Sequence, residues 1–334
     1  MKSKTLILTL LLFALFACNK NTHKVDVEIT NANGKTAYLQ KIINNETVNV
    51  DSCLIENNKA VFNLNNHNDN DTYHIFIKGW RRALPFFTDN KDVSIKGDFN
   101  AYHKITITAS ETQNALEELN KEMNDLDDGD IKIAISNFAK NNPESTLTPY
   151  IVYKYKWAFN LSELKKLLSI FPETLKSGYK GKLTEYIELL ERSDVGKDYI
   201  DFTLNNTEGQ AITISDIVNN NKLIMIDFWA SWCPDCRVEN PNVVSVYDKF
   251  KDKGLEIVSV SLDTDKDAWL KGIMEDNLYW ENHLSDLKGW NCVPATEYGV
   301  AFIPQNVLIS SDGKIVAKNL NGEELINFVS QYLK

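Results

Sequence analysis

Two cysteines separated by two residues lie where an apolar run meets the start of a predicted helix. The run from Leu223 to Trp229 has the length and content of a strand covered on both faces. Cys233 and Cys236 follow it, and Pro234 suits the first turn of a helix. Backbone N–H groups and the helix dipole stabilise a thiolate at such an N-terminus. Cys233 is therefore the predicted nucleophile, and Cys236, one turn further along, is the partner that closes a disulfide.

Asp235 places a carboxylate beside the predicted thiolate. A negative charge there opposes the thiolate, whereas a cationic histidine would favour it. Destabilising the reduced form shifts the couple toward donating electrons, so the sequence predicts a reductant. We expect the Cys233/Cys236 couple to have a potential below roughly −200 mV.

The other cysteines and the histidines offer alternative sites. A single Cys-x-x-Cys could be half of a zinc site, but no second Cys or His pair stands at ligand spacing. No metal is predicted, and no cofactor other than the redox-active disulfide. Cys53 lies in a β-like segment and is predicted to be a packed thiol. Cys292 could be a third redox thiol, although a structural role is favoured.

The predicted redox helix belongs to an α/β domain spanning residues 195–334. Tyr199 to Leu204 and Ala211 to Ile214 predict a hairpin before the central strand, and Leu255 to Leu262 predicts another strand. Val307 to Ala317 predicts a second hairpin, followed by a helix from Gly322. Strands alternating with helices and ending in a hairpin indicate a mixed sheet.

Two further segments precede this domain. Residues 18–110 alternate short apolar runs with Asn, Gly and Asp turns, which predicts a small all-β domain, either a sandwich or a barrel, with a hairpin turn at Asn33-Gly34. The segment Asn63 to Asp71 is predicted to be a solvated loop. Residues 111–194 have helical periodicity and predict a helical connector. One apolar helix face is predicted to consist of Leu116, Leu119, Met123 and Leu126. Asn160 and Glu163 are predicted to cap the start of a helix. An aromatic cluster is predicted to pack in the core, and its members are Tyr150, Tyr153, Tyr155 and Trp157.

Residues 1–17 are predicted to be a signal peptide. Lys2 and Lys4 precede the apolar run Leu6 to Ala17, which is too short to span a bilayer. Leu15 to Cys18 resembles a bacterial lipobox, which implies that Cys18 is lipidated. The expected location is the bacterial cell envelope, lipid-anchored and facing the periplasm or the exterior, which is an oxidising setting. The net charge of −10, without a basic stripe, argues against a nucleic-acid partner.

Taken together, Asp227 to Ala230, Trp232 to Cys236, Pro241 and Ile303-Pro304 resemble the thioredoxin superfamily, and the leading hairpin resembles its TlpA/ResA-like branch. Thr36 to Asn63 resembles a small β domain of unknown function that precedes such domains in some bacterial lipoproteins. The fold class implied is α/β, with a C-terminal thioredoxin-like fold after the β domain and the connector.

The resemblance also implies roles for individual residues. Pro304 would be cis and lie against the disulfide, and Ile303, with Trp232 and Pro234, would contact a bound substrate chain. Asp227 matches a buried proton-relay aspartate, and its place in an apolar strand favours the neutral form by desolvation. Glu239 matches an acidic residue beside the helix in ResA-like proteins.

The predicted function is that of a membrane-anchored thiol:disulfide oxidoreductase acting as a reductant of protein disulfides. Its expected partners are protein dithiols or disulfides, a membrane or periplasmic electron donor, and the membrane itself. A thiol peroxidase is the alternative enzyme class, because peroxiredoxins share the hairpin-led domain, although the Thr-containing approach to a lone peroxidatic cysteine is missing. A non-enzymatic surface-binding lipoprotein is the other alternative, against which the intact Cys-x-x-Cys argues.

Overall fold

The computed structural model describes residues 22–65 and 72–334. The described residues up to Glu122, with Lys176–Gly178, form one compact unit, and Met123–Leu175 with Tyr179–Lys334 form a second. The predicted signal peptide, Cys18, and the part of the Asn-rich segment at residues 66–71 lie outside the described residues.

The first unit is built from β-strands. Its described strands are β1 (Thr22–Thr30), β2 (Thr36–Ile43), β3 (Glu46–Leu54), β4 (Lys59–Asn65), β5 (Thr72–Ile77), β6 (Leu84–Phe87), β7 (Val93–Asp98) and β8 (Thr106–Thr108). Within the described residues they form two four-stranded sheets, in the orders β4-β1-β7-β8 and β3-β2-β5-β6. The prediction of a β-rich N-terminal domain is confirmed.

One apolar core is shared by the two sheets. Val25, Val27 and Ile29 alternate along β1 and are at most 1% exposed, as the period-two pattern predicts. They form one cluster with residues of the other sheet, such as Leu39 and Ile75. A core built from the inner faces of both sheets is that of a sandwich.

The predicted hairpin at Asn33-Gly34 is wrong. Gly34 does turn the chain, with φ of +78°, but β1 and β2 lie in different sheets, and the Gly34 N–H donates to the Ile55 carbonyl at 2.8 Å. A two-residue hairpin turn occurs instead at Asn44-Asn45, between β2 and β3, where both residues have positive φ. Asparagine tolerates this left-handed conformation, so Asn-Asn can replace Asn-Gly.

The helical segment contains α1 (Glu111–Met123), α2 (Asp128–Asn141), α3 (Leu147–Lys154), α4 (Leu161–Ser169) and α5 (Gly178–Arg192). Asn160 and Glu163 form a reciprocal capping box at the start of α4, as predicted. The predicted face of α1 ends at Met123, and Leu126 lies beyond the helix. Tyr150 is buried and meets the Tyr179 ring edge-on at 5.0 Å, which fits core packing.

The remaining part of the second unit is a mixed α/β fold. Its strands are β9 (Thr203–Asn206), β10 (Ala211–Thr213), β11 (Leu223–Trp229), β12 (Leu255–Ser261), β13 (Asn282–Ser285), β14 (Gln305–Ser310) and β15 (Ile315–Lys318), and its helices are α6 (Ile214–Val218), α7 (Pro234–Phe250), α8 (Lys266–Glu275), α9 (Val293–Glu297) and α10 (Gly322–Tyr332). The strand order is β10-β9-β13-β12-β11-β14-β15. Both predicted hairpins, β9-β10 and β14-β15, are present.

Strand β11 lies inside this sheet and carries the chain to the two cysteines. It pairs in parallel with β12 and antiparallel with β14, and all seven of its residues are buried. This matches the prediction of a strand covered on both faces. Strand β13 was not predicted, because its sequence Asn282-His283-Leu284-Ser285 is mostly polar.

Helix α5 packs on the α/β fold within the second unit. The Tyr186 hydroxyl donates to the Gly299 carbonyl at 3.0 Å, and the Ser193 hydroxyl, just after the helix, donates to the Tyr298 carbonyl at 3.2 Å. These bonds attach the last predicted connector helix to the segment that precedes Ile303-Pro304.

Candidate active site

Helix α7 begins where the turn after β11 ends. Cys233 is the N-cap residue, Pro234 occupies the first helical position, and the Cys236 N–H donates to Cys233 Sγ at 3.1 Å. Proline fits this position because its missing N–H would have no partner inside the helix. The helix thus directs a backbone N–H at the sulfur of Cys233, where it can stabilise a thiolate.

The two cysteines are joined in a disulfide, Cys233–Cys236. Cys236 is fully buried, and Cys233 is only 4% exposed although it lies at the end of the helix. The cause is the loop at Ile303, whose carbonyl oxygen lies 3.7 Å from Cys233 Sγ. Cys233 still precedes the helix while Cys236 lies in its first turn, so a docking partner reaches Cys233 first.

The segment facing the disulfide contains Ile303 and Pro304. Their peptide bond is cis, and Ile303 is 9% exposed. Phe302, the preceding residue, is 40% exposed. This segment is seventy residues from Cys233 in sequence and lies in contact with it.

Asp227 is buried in the middle of β11. Its Oδ2 accepts a hydrogen bond from Ser259 Oγ at 3.2 Å, across the β11-β12 pair. Burial raises the pKa of Asp227 to about 7, the Ser259 hydrogen bond lowers it, and the negative charge of Glu239 raises it. A carboxyl group with this pKa can take up and release a proton at neutral pH.

Glu239 lies on α7 and is half-buried. Its Oε1 accepts from the Gly322 N–H at 2.7 Å, at the start of α10, and its Oε2 accepts from Asn242 Nδ2 at 2.9 Å. Glu239 therefore connects the cysteine helix to the C-terminal helix, a contact that the sequence did not predict. Asp235 is exposed in the first turn of α7.

An exposed aromatic pair lies beside the disulfide. Trp232 and Trp290 are each 50% exposed, and their ring centroids are 6.2 Å apart. Substrate contact was predicted for Trp232 but not for Trp290. The sequence carried no signal for Trp290, because its exposure and its contact with Trp232 arise only in the fold.

The two remaining described cysteines are free thiols. Cys292 is fully buried, and burial, followed by the charge of Asp286, raises its pKa to about 12. A thiol in this state is poorly reactive, which fits the structural role favoured from sequence. Cys53 is half-buried in β3, with its Sγ 3.4 Å from the Leu54 carbonyl.

Residues 22–65 and 72–334 contain no cluster of three or more His, Cys, Asp or Glu side chains able to hold a metal ion. Within those same ranges, every helix is too short or too polar to cross a bilayer.

Comparison with known proteins matches both parts of the chain. The AhpC/TSA family matches residues 195–318, and a domain of unknown function, DUF4369, matches residues 23–116. The thiol-disulfide oxidoreductase ResA of Bacillus cereus is 29% identical over 149 residues, covering 45% of this chain and 82% of that protein. ResA of Bacillus anthracis is 30% identical over 144 residues, covering 43% of this chain and 79% of that protein.

Among solved structures, the thioredoxin domain of a thiol-disulfide oxidoreductase from Bacteroides vulgatus is 33% identical, covers 42% of this chain and 99% of that chain, and has a TM-score of 0.39. The resemblances predicted from sequence, to the ResA-like proteins and to a preceding β domain of unknown function, are confirmed by the family and sequence matches. Since the match to ResA of Bacillus anthracis covers more than two thirds of that protein at 30% identity, this chain belongs to the ResA-like thiol-disulfide oxidoreductases, with an AhpC/TSA domain that follows a DUF4369 domain.

Proposed function

We propose that this protein reduces disulfides in other proteins, through Cys233 and Cys236, while anchored by lipid to the outside of a bacterial membrane. The observation that carries the proposal is the Cys233–Cys236 pair at the N-terminus of α7, facing the Ile303-Pro304 segment. The thiol-disulfide oxidoreductase ResA proteins that match the C-terminal part of the chain support the same chemistry.

The reaction proceeds in two exchanges. The reduced Cys233 thiolate attacks one sulfur of a substrate disulfide, and the other substrate sulfur leaves as a thiolate. Cys236 then gives its proton to Asp227, or to Glu239, and attacks Cys233 Sγ, which releases the second substrate thiolate. Two electrons pass to the substrate, whose thiolates take up protons. The protein is left with the Cys233–Cys236 disulfide, which an external dithiol donor must reduce again.

The acidic surroundings support a reductant. Asp235 stands between the two cysteines in sequence and is exposed in the first turn of α7, and Glu239 lies on the same helix as Cys236. Negative charges near a thiolate disfavour the reduced, ionised form and so favour electron donation to a substrate.

The aromatic pair supports a protein substrate. Because Cys233 is only 4% exposed, a disulfide must approach through the surface around it, where Trp232 and Trp290 are each half-exposed. Exposed tryptophans are typical of contact surfaces for other polypeptides. The Ile303 backbone, next to Cys233, would pair with the extended substrate chain.

The location rests on the N-terminal sequence. Lys2 and Lys4, the apolar run Leu6 to Ala17 and Cys18 fit a lipoprotein signal, which would place the domains in an oxidising compartment. A membrane or periplasmic dithiol protein would then supply the electrons.

A trapping experiment tests the mechanism. Wild-type protein, reduced beforehand, should reduce insulin disulfides, and Cys233→Ser should not. Cys236→Ser should carry out the first attack and accumulate a mixed disulfide with insulin on Cys233, because nothing resolves it. The matched control is Cys292→Ser, which should behave as wild type. If Cys236→Ser traps nothing while the wild type is active, the assignment of attack and resolution is wrong.

A further inference from the structure

The turn that places Cys233 is held by a carboxylate from the neighbouring strand. Asp263 lies just beyond the end of β12 and is 1% exposed. Its Oδ2 accepts from the Ser231 N–H at 2.9 Å, and its Oδ1 accepts from the Ser231 hydroxyl at 2.6 Å. The Ser261 hydroxyl donates to Oδ2 at 2.7 Å. Asp263 is therefore buried with three hydrogen-bond donors, two of which come from the residue two positions before Cys233.

The other side of the same turn is bound by Arg237. Its Nη1 donates to the Ser231 carbonyl at 3.3 Å, and the guanidinium also forms ion pairs with Glu275, at 3.0 Å, and with Asp276. Both polar groups of the Ser231 backbone are thus bonded to side chains.

Helix α8 closes the third side through Gly272. A Cβ atom added to Gly272 would lie 2.8 Å from Ser231 Cβ and 3.3 Å from Ser231 Cα, closer than such atoms can stand without movement. It would also lie 3.2 Å from the Trp229 ring. Glycine therefore lets the helix backbone pack directly on the turn.

We propose that Asp263, Arg237 and Gly272 form a clamp on Ser231 that keeps Cys233 Sγ facing the Cys236 N–H and thereby sets the reactivity of Cys233. The Ser231 clamp does not touch the reacting sulfurs, so its members are positioning residues. They act through the short turn closed by the Cys233 N–H, which donates to the Ala230 carbonyl at 3.1 Å. A displaced turn would rotate the N-cap residue and lengthen the 3.1 Å contact between the Cys236 N–H and Cys233 Sγ. The inference rests on the proposed exchange at Cys233.

The test measures alkylation of Cys233 by iodoacetamide in the reduced full-length protein across pH 5 to 10. Peptide mapping by mass spectrometry separates Cys233 from the other cysteines. The variants are Ser231→Ala, Asp263→Asn and Gly272→Ala, and the matched control is Met274→Ala, which lies on α8 and is 72% exposed. Thermal unfolding of the oxidised proteins shows that each variant is folded.

The clamp predicts that the alkylation midpoint moves to higher pH. The rate at pH 7 should fall about threefold to tenfold in Asp263→Asn and Gly272→Ala, and less in Ser231→Ala, which keeps the backbone N–H bond. The plateau rate at high pH should not change, and Met274→Ala should match the wild type. A loss of stability without a midpoint shift would mean a structural role only.

The clamp proposal is contradicted if the variants fold and their alkylation midpoints equal that of Met274→Ala. If Gly272→Ala does not fold, Ser231→Ala decides the question, because it removes one hydroxyl and adds no atoms. The two proposals fail separately. A wild-type protein that cannot reduce insulin contradicts the proposed function. If the wild type is active but the alkylation midpoints of the variants do not move, only the clamp is contradicted.

Discussion

The buried carboxyl of Asp227 predicts that stability falls as pH rises through neutrality. In the unfolded chain an aspartate loses its proton near pH 3.8, whereas folded Asp227 keeps it up to about pH 7. Below pH 4 the carboxyl is neutral in both states and has no effect. Between pH 4 and 7 only the unfolded state ionises, so folding becomes less favourable with each added pH unit.

The magnitude follows from the two pKa values. A rise from 3.8 to about 7 corresponds to about 4 kcal/mol lost above pH 7, because each pKa unit is worth about 1.4 kcal/mol. About 2 kcal/mol of this loss falls between pH 5.5 and 8.5. Asp227→Asn places a neutral group of similar shape at the same site, and its amide oxygen can still accept from Ser259. Its stability should lack this contribution to the pH dependence.

The assay is urea unfolding of the oxidised proteins, followed by tryptophan fluorescence. Six of the seven tryptophans lie in the second unit, so the signal mainly reports the unit that contains Asp227. The stability of Asp227→Asn relative to wild type should grow by about 2 kcal/mol from pH 5.5 to 8.5. Ser259→Ala removes a hydrogen bond that lowers the pKa of folded Asp227, so the fall in stability should extend to higher pH. If the stabilities of wild type and Asp227→Asn change with pH in parallel, the raised pKa of Asp227 is refuted, and with it the role of Asp227 as a proton acceptor.

Two further predictions concern residues near the disulfide. Trp290→Ala should raise KM for insulin about fivefold, as expected for an exposed aromatic that contacts the substrate, while hydroxyethyl disulfide is reduced at an unchanged rate. Tyr332→Ala, an aromatic that is 40% exposed on α10, is the control, and equal losses for both substrates would contradict the docking role. Cys292→Ser should keep full activity and lose about 1 to 3 kcal/mol of stability, because a hydroxyl replaces a buried thiol. Rapid alkylation of Cys292 at pH 8 in folded wild-type protein would contradict the structural role and show a reactive thiol.

Local sequence patterns predicted the central features of the site. The apolar run from Leu223 to Trp229, followed by Cys233, Pro234 and Cys236, predicts a buried strand and a helix N-terminus, and both are present. These elements depend on neighbours within a few residues, where spacing and residue type carry the information.

Features that depend on distant residues were not predictable in the same way. Cys233 is covered by Ile303, and Glu239 binds Gly322, pairs that are 70 and 83 residues apart. Asp263 follows an ordinary strand, and nothing in its own segment indicates that Ser231 is its partner. Strand β13 is too polar to be recognised, and it is a strand because β12 and β9 pair with it.

Because Cys233 and Cys236 are almost completely buried, the reduction potential of the couple does not determine how fast the disulfide reacts. A reduction potential describes which thiols the disulfide could exchange with at equilibrium, but exchange requires in-line approach to a sulfur. With 4% of Cys233 and none of Cys236 exposed, a free small thiol meets very little sulfur surface. The disulfide should therefore exchange more slowly with the bulk thiol pool of its surroundings than with a partner that binds beside it. Which protein exchanges electrons with this one then depends on which protein binds beside Cys233. Several redox couples of different potential can therefore operate in one compartment without exchanging electrons with one another.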